Sequence, residues 1–205
     1  APQSFIDAMR AAGRTQVSAS GQPSDYLCPS HPDNFALELD SLLEVVRNYD
    51  VDGIHLDYIR YPDSDYCYCG GCSNRFMAET GWAVTNWPAD VRTAGPLKDA
   101  FQSWRRDQIT KLVQALHAGV QAIKPTVRVS AAVFSDYSTD AYVRKGQDWV
   151  RWIDLGLVDF LCPMDYTSDH GYFCDLVPEQ MGYAAGRIPI YPGIGSHKLR
   201  PDGVI

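Results

Sequence analysis

From Thr15 to Tyr191, short apolar runs of strand length alternate with segments of helical periodicity, and this alternation leaves the chain few architectures. A strand that is apolar almost throughout is buried on both faces. Such strands belong to parallel sheets covered by helices, either doubly wound or closed into a barrel. The pattern predicts a short helix over 5–12 stopped by Gly13 and a strand over 15–20. A helix opened by Pro32-Asp33 follows, with Phe35, Leu39, Leu42, Leu43 and Val46 on one face. Further strands are predicted over 51–59, 127–134, 158–162 and 188–191, and helices over 98–124, 147–155 and 178–185. Residues 63–96 read as an inserted loop, rich in cysteine, with a short helix near 73–79 and a Trp87-Pro88 step.

The loops choose between the two sheet types. No glycine-rich phosphate fingerprint follows a strand, while Asp57-Tyr58, Asp136-Tyr137 and Asp165-Tyr166 stand just past strand C-termini. That is the face on which barrels carry their chemistry. The expected fold is therefore an α/β (β/α)8 TIM barrel. Five strands are legible, against the eight that a barrel builds from roughly 250 residues, so residues 1–205 are read as one barrel domain holding about strands 3 to 7. The Ala1-Pro2-Gln3 start, without Met, fits a chain cut from something larger.

A formal charge of −7 and a pI near 5.1, with no Lys/Arg cluster, oppose binding to nucleic acid or anionic membranes. No run of about 18 apolar residues suits a membrane-spanning helix, and no signal peptide opens the sequence. The aromatic content, with five Trp and twelve Tyr, suits stacking on sugar rings and core packing equally.

The most informative stretch is 51–62, Val-Asp-Gly-Ile-His-Leu-Asp-Tyr-Ile-Arg-Tyr-Pro. A strand has a period of two, so Gly53, His55 and Asp57 share the inward face while Ile54, Leu56 and Tyr58 meet the helices. A carboxylate at the open end of a strand has no packing purpose and is costly to bury unpaired. The competing reading is a structural ion pair between Asp57 and Arg60.

At this stretch the chain resembles the glycosyl hydrolase-like family 10 proteins of bacteria, which carry an Asp-Gly-Ile-His-(Leu/Phe)-Asp strand and a Tyr-Pro turn. The similarity extends to 27–32 (Leu-Cys-Pro-Ser-His-Pro), 129–133 and 158–166. More distantly, the strand is similar to that of family 18 chitinases, but Ile59 stands where their catalytic acid would be. The resemblance implies hydrolysis of a polysaccharide, a bacterial wall glycan or another amino-sugar or plant-type glycan, in an extracytoplasmic or secreted setting, without an organic cofactor. Glycoside hydrolysis commonly uses two carboxyl groups, about 5–5.5 Å apart for retention and about 6.5–9.5 Å for inversion. Asp57 is the leading candidate for one, and Asp165, with Asp136 behind it, for the other. Asp165 is out of step with Tyr166, so both cannot point inward along a regular strand. His55, Tyr58, Arg60, Tyr61 and Tyr166 are expected to position the sugar. The alternative is a carbohydrate-binding barrel without catalysis, suggested by Ile59 and by the absence of a carboxylate over 190–195.

The Cys67-x-Cys69-x-x-Cys72 spacing lets three thiolates converge on one ion, and a fourth ligand would complete a tetrahedral structural zinc site. Disulfide pairing or free thiols are the alternatives. Cys28 is the expected fourth ligand because barrel geometry sets its loop beside the cysteine loop, with His31 as substitute. The arrangement resembles the zinc site of some family 42 β-galactosidases. Cys162 and Cys174 are read as a buried and a loop thiol.

Overall fold

The computed structural model describes residues 2–198. Its centre is a parallel sheet of three strands in the order β3 (Gly53–Leu56), β4 (Arg128–Val133), β5 (Phe160–Pro163). Ile54 pairs with Val129, and Ala131 with Leu161. A single parallel bridge from Leu161 to Ile190 continues the sheet at the next expected strand. Helices cross between these strands, as parallel pairing requires: α4 (Lys98–Ile123) leads from β3 to β4 and α5 (Trp149–Asp154) from β4 to β5, while α6 (His170–Ala184) follows β5.

The helical stripes pack as their periodicity demands. On α4 the buried residues include Phe101, Trp104, Ile109, Val113, Leu116 and Val120. Against it lies α2 (Pro32–Asn48), with Leu43 and Val46 buried. Fully burying such a side chain contributes roughly 1.5–3 kcal/mol each, so this seam is a principal support of the sheet. His31 caps α2, its Nδ1 accepting from the Asp33 amide at 3.2 Å. His31 is not among the residues of the cysteine cluster.

One strand expectation is corrected. Residues 15–20 are not a strand of the parallel sheet: β1 (Thr15–Val17) turns back and pairs antiparallel with β2 (Pro23–Leu27). Gly21, at φ +85°, supplies the left-handed step of the turn, and Ser18 Oγ accepts from the Gln22 amide at 3.0 Å. Residues 63–96, read as a cysteine-rich insert with a short helix, are packed on the core. They hold α3 (Gly70–Thr80), and Tyr68, Phe76 and Trp87 pack with Phe101 and Trp104 of α4 at ring separations of 5.3–6.0 Å. The hairpin and this insert are sewn together by backbone bonds from Tyr68 to Val17 and from Ala19 to Asp65. After β4 the chain forms a π-helical segment over Tyr137–Lys145, and α1 (Gln3–Ala11) opens the described structure. None of the described helices is long and apolar enough to cross a membrane.

Candidate active face and four-cysteine centre

The period of two holds along β3. Ile54 and Leu56 are buried, while His55 and Asp57 lie exposed on the other face. Register sets His55 opposite Ser130, and its Nδ1 meets Ser130 Oγ at 2.9 Å, which orients the ring. Past the strand, Tyr58 adopts a left-handed φ of 58° and stands in solvent, so that Ile59 and Tyr61 can turn into the core. The Asp57 carboxylate is 56% exposed and lies 3.4 Å from Arg60 Nη1. Its Oδ1 also accepts from the Tyr58 amide at 2.7 Å. An exposed pair of this length contributes at most about 1 kcal/mol, too little to be the reason for a carboxylate there. The Arg60 guanidinium sits 4.2 Å from the Tyr58 ring centre and 5.0 Å from that of Phe134. A cavity of about 390 Å³ opens beside this group between the hairpin, α2 and the end of β3; Asp57, His55, Tyr26, Tyr58 and Arg60 are among its walls.

Three other expected residues are distributed differently. Tyr61 is fully buried with the Arg105 guanidinium 4.2 Å over its ring, so it is a core residue and has no face for a sugar. Asp165 is 1% exposed. Successive tight turns over 163–167 curl the strand end, and Asp165 Oδ1 accepts from Gln180 of α6 at 2.7 Å. Burial raises its pKa, against the opposing Gln180 hydrogen bond, and Oδ2 has no partner. Tyr166 is exposed, edge-on to His197 at 5.6 Å. Asp165 is thus buried and Tyr166 exposed, so the two do not share a face.

Asp136 caps the π-helical segment, with Oδ1 accepting from the Thr139 amide at 2.9 Å. Burial pushes its pKa up, but the bonds from Thr139 and Ser138 outweigh it and hold the carboxyl below its ordinary value. Gln180 was not legible as a site residue, since a lone glutamine within a helix carries no signal. Its amide also donates to the Ser135 carbonyl at 3.2 Å, tying the ends of β4 and β5 to α6.

Cys28, Cys67, Cys69 and Cys72 are all buried and their Sγ atoms lie within 4.8 Å of one another. Cys28 is 3.9 Å from Cys69 and 3.5 Å from Cys72, and Cys69 is 3.5 Å from Cys72. Four thiolates around a metal at about 2.3 Å form a tetrahedron with edges of about 3.8 Å, so this cage fits a metal ion. None of the four is in a disulfide. Amides of Val17 and Cys72 point at Cys67 Sγ and Cys69 Sγ, each at 3.4 Å, the donors expected around metal-bound thiolates. Cys162 is half-buried and Cys174 exposed, both free.

Similarity to known proteins agrees with this architecture. The Bacillus subtilis glycosyl hydrolase YngK is 27% identical over 160 residues, covering 70% of this chain and 28% of that protein. The chain thus spans less than a third of that relative. A β-galactosidase from Bacillus circulans sp. alkalophilus superimposes with a TM-score of 0.66 at 10% identity, over 87% of this chain and 31% of its own. The glycoside hydrolase domain of PgaB (BpsB) from Bordetella bronchiseptica superimposes at 0.64 with 13% identity, over 94% of this chain and 68% of its own. The two structures show that the fold is that of glycoside hydrolase barrels. With the glycosyl hydrolase-like 10 model matching residues 1–183, the chain belongs to that family.

Proposed function

We propose that the chain is part of a (β/α)8 barrel glycoside hydrolase acting on a polysaccharide, with Asp57 as a catalytic carboxylate. The observation that carries this reading is the exposed Asp57 at the C-terminal end of a parallel strand, beside His55, with Arg60 in reach and a cavity alongside. A carboxylate so placed suits a nucleophile, a base, an acid or a group stabilising an oxocarbenium-like transition state. His55, held by Ser130, and the exposed rings of Tyr58 and Tyr166 position the sugar, with Arg60 beside them.

The complementary carboxyl is Asp136 on grounds of access and Asp165 on grounds of proton affinity, because their surroundings push the two pKa values in opposite directions. The glycan is a bacterial wall polymer or another amino-sugar or plant-type polymer, and on the wall reading the enzyme acts outside the cytoplasm. The four cysteines hold a structural zinc, distant from the reacting bonds in role, which braces the hairpin against the insert. When bound, the ion supplies cross-linking alone.

The test uses the full-length protein on a panel of glycans. Asp57→Asn keeps the shape and removes the titratable group, so turnover falls at least about 10²-fold while folding and sugar binding persist. Near-native turnover after that change sinks the assignment. Single Asn replacements at 136 and 165 then identify the partner by the larger loss. A non-catalytic carbohydrate-binding barrel is the second reading, favoured by the buried Ile59 at the position of the chitinase acid. It predicts binding without turnover in the unaltered protein.

A further inference from the structure

Arg75 touches the four-cysteine cluster, Arg105 is tied to the residue before Cys67, and neither has a carboxylate partner among the described residues. Arg75, half-buried on α3, directs Nη2 to Cys28 Sγ at 3.6 Å and Nε to Ser30 Oγ at 3.1 Å. Ser30 Oγ in turn lies 3.4 Å from both Cys28 Sγ and Cys72 Sγ. Arg105, 1% exposed, donates to the carbonyls of Asp63 and of Tyr66, the residue before Cys67, and to Gln102. Burying a guanidinium without a counter-charge costs several kcal/mol, so an anion is needed nearby. Four neutral thiols supply none. Four thiolates around a divalent cation make a dianion, which two guanidinium groups balance.

Gly71 belongs to the same arrangement. A Cβ there would stand 2.8 Å from both Nη atoms of Arg75, so the guanidinium reaches Cys28 by lying across the bare Cα of the first turn of α3. Glycine is otherwise a poor choice inside a helix, by about 1 kcal/mol relative to alanine.

We propose that Arg75 and Arg105 are built-in counter-ions of a dianionic tetrathiolate metal centre, and that Gly71 is glycine to admit Arg75. The inference rests on the zinc reading above and adds the residues that set its affinity. It has a consequence that the ligands alone do not: the affinity for metal depends on three residues that never touch the ion.

The experiment measures Zn²⁺ affinity by competition with a chromophoric chelator, with Co²⁺ absorption to report tetrathiolate coordination. Arg75→Gln should weaken zinc binding about 10–100-fold while the cobalt spectrum keeps its tetrahedral form. Gly71→Ala, a favourable change for a helix, should also weaken binding, yet add nothing in the Arg75→Gln background, because it acts through that side chain. Arg105→Gln should reduce the rise in Tm that zinc confers, by more than it lowers the Tm of the zinc-free protein. Arg75→Gln affinity within about twofold of the unaltered protein, with unchanged circular dichroism, overturns the counter-ion role and leaves the zinc site standing. Unaltered protein that takes up neither metal overturns the zinc site and this inference together.

Discussion

Asp165 owes its direction to the backbone beyond β5 rather than to the alternation of the strand. Its place after an apolar strand marks it as a carboxyl at the barrel's open end, but the curled backbone over 163–167 turns it to α6. Two buried acceptors, Asp165 Oδ2 and Gln180 Oε1, have no hydrogen-bond partner. Because its folded pKa is raised, Asp165 contributes stability that is complete below the unfolded value of about 3.9 and is lost as pH rises through the folded pKa. Asp165→Asn removes that loss and adds a donor for Gln180. The variant should be more stable at pH 7 by about 1 kcal/mol, the worth of one satisfied buried hydrogen bond, or about 2–4 °C in Tm. Thermal melts should show the gain shrinking toward pH 3. A destabilised variant at pH 7 would show that the folded protein favours the ionised carboxylate, against the raised pKa.

At the scale of elements, the turn after β3 is clamped to the π-helical segment Tyr137–Lys145. Arg144 reaches Asp63 at 2.6 Å, and buried Lys145 lies 3.5 Å from the same carboxylate and 4.8 Å from the Phe134 ring centre. Burial pushes Asp63 up, but Arg144, Ser64 and Lys145 outweigh it and bring its pKa down to about 2. A depressed carboxyl contributes stability above its unfolded pKa, and the contribution disappears as pH falls through the folded one. Unfolding curves of the unaltered protein and Asp63→Asn should therefore separate above pH ~4 and converge near pH ~2; parallel curves across that window would show the clamp to be inert. None of this clamp was legible in the sequence. Periodicity found α2, α4 and strands β3 to β5 because each buries a regular stripe against the sheet. It missed β2, whose Pro23–Leu27 buries no residue fully and leaves no alternating signal. It also missed the π-helical segment, of which only Ala141 and Lys145 are buried. Pro178 misplaced the start of α6, since proline marks a first turn more often than an interior. In the site, Asp57 and the four cysteines were legible from residue type and spacing, whereas the burial of Tyr61 depends on the left-handed step at Tyr58, which no propensity announces.

For the molecule as a whole, the cysteine centre joins parts that the parallel sheet does not hold. Cys28 follows β2 of the hairpin, and the other three cysteines lie 39 to 44 positions later in the insert. Apart from this cluster, the hairpin meets the insert through a few backbone bonds, such as Tyr68 to Val17, and meets α2 through Asn34, whose side chain bonds the carbonyls of Arg14 and Cys28. The sheet has independent support, with Val129, Ala131, Val133 and Leu161 buried against the helices. A ligand bound only by the folded form adds RT ln(1 + [L]/Kd), about 4 kcal/mol at a thousandfold excess over Kd. Metal removal therefore acts locally first. After chelation, hydrogen exchange should accelerate over 15–28 and 66–80 while amides of β4 and β5 keep their protection, and Tm should fall by several degrees, about 2–4 °C per kcal/mol. Restoring Zn²⁺ should reverse both. Uniform acceleration through β4 and β5 would mean that the centre supports the whole core, and unchanged exchange in the hairpin would mean that it supports neither.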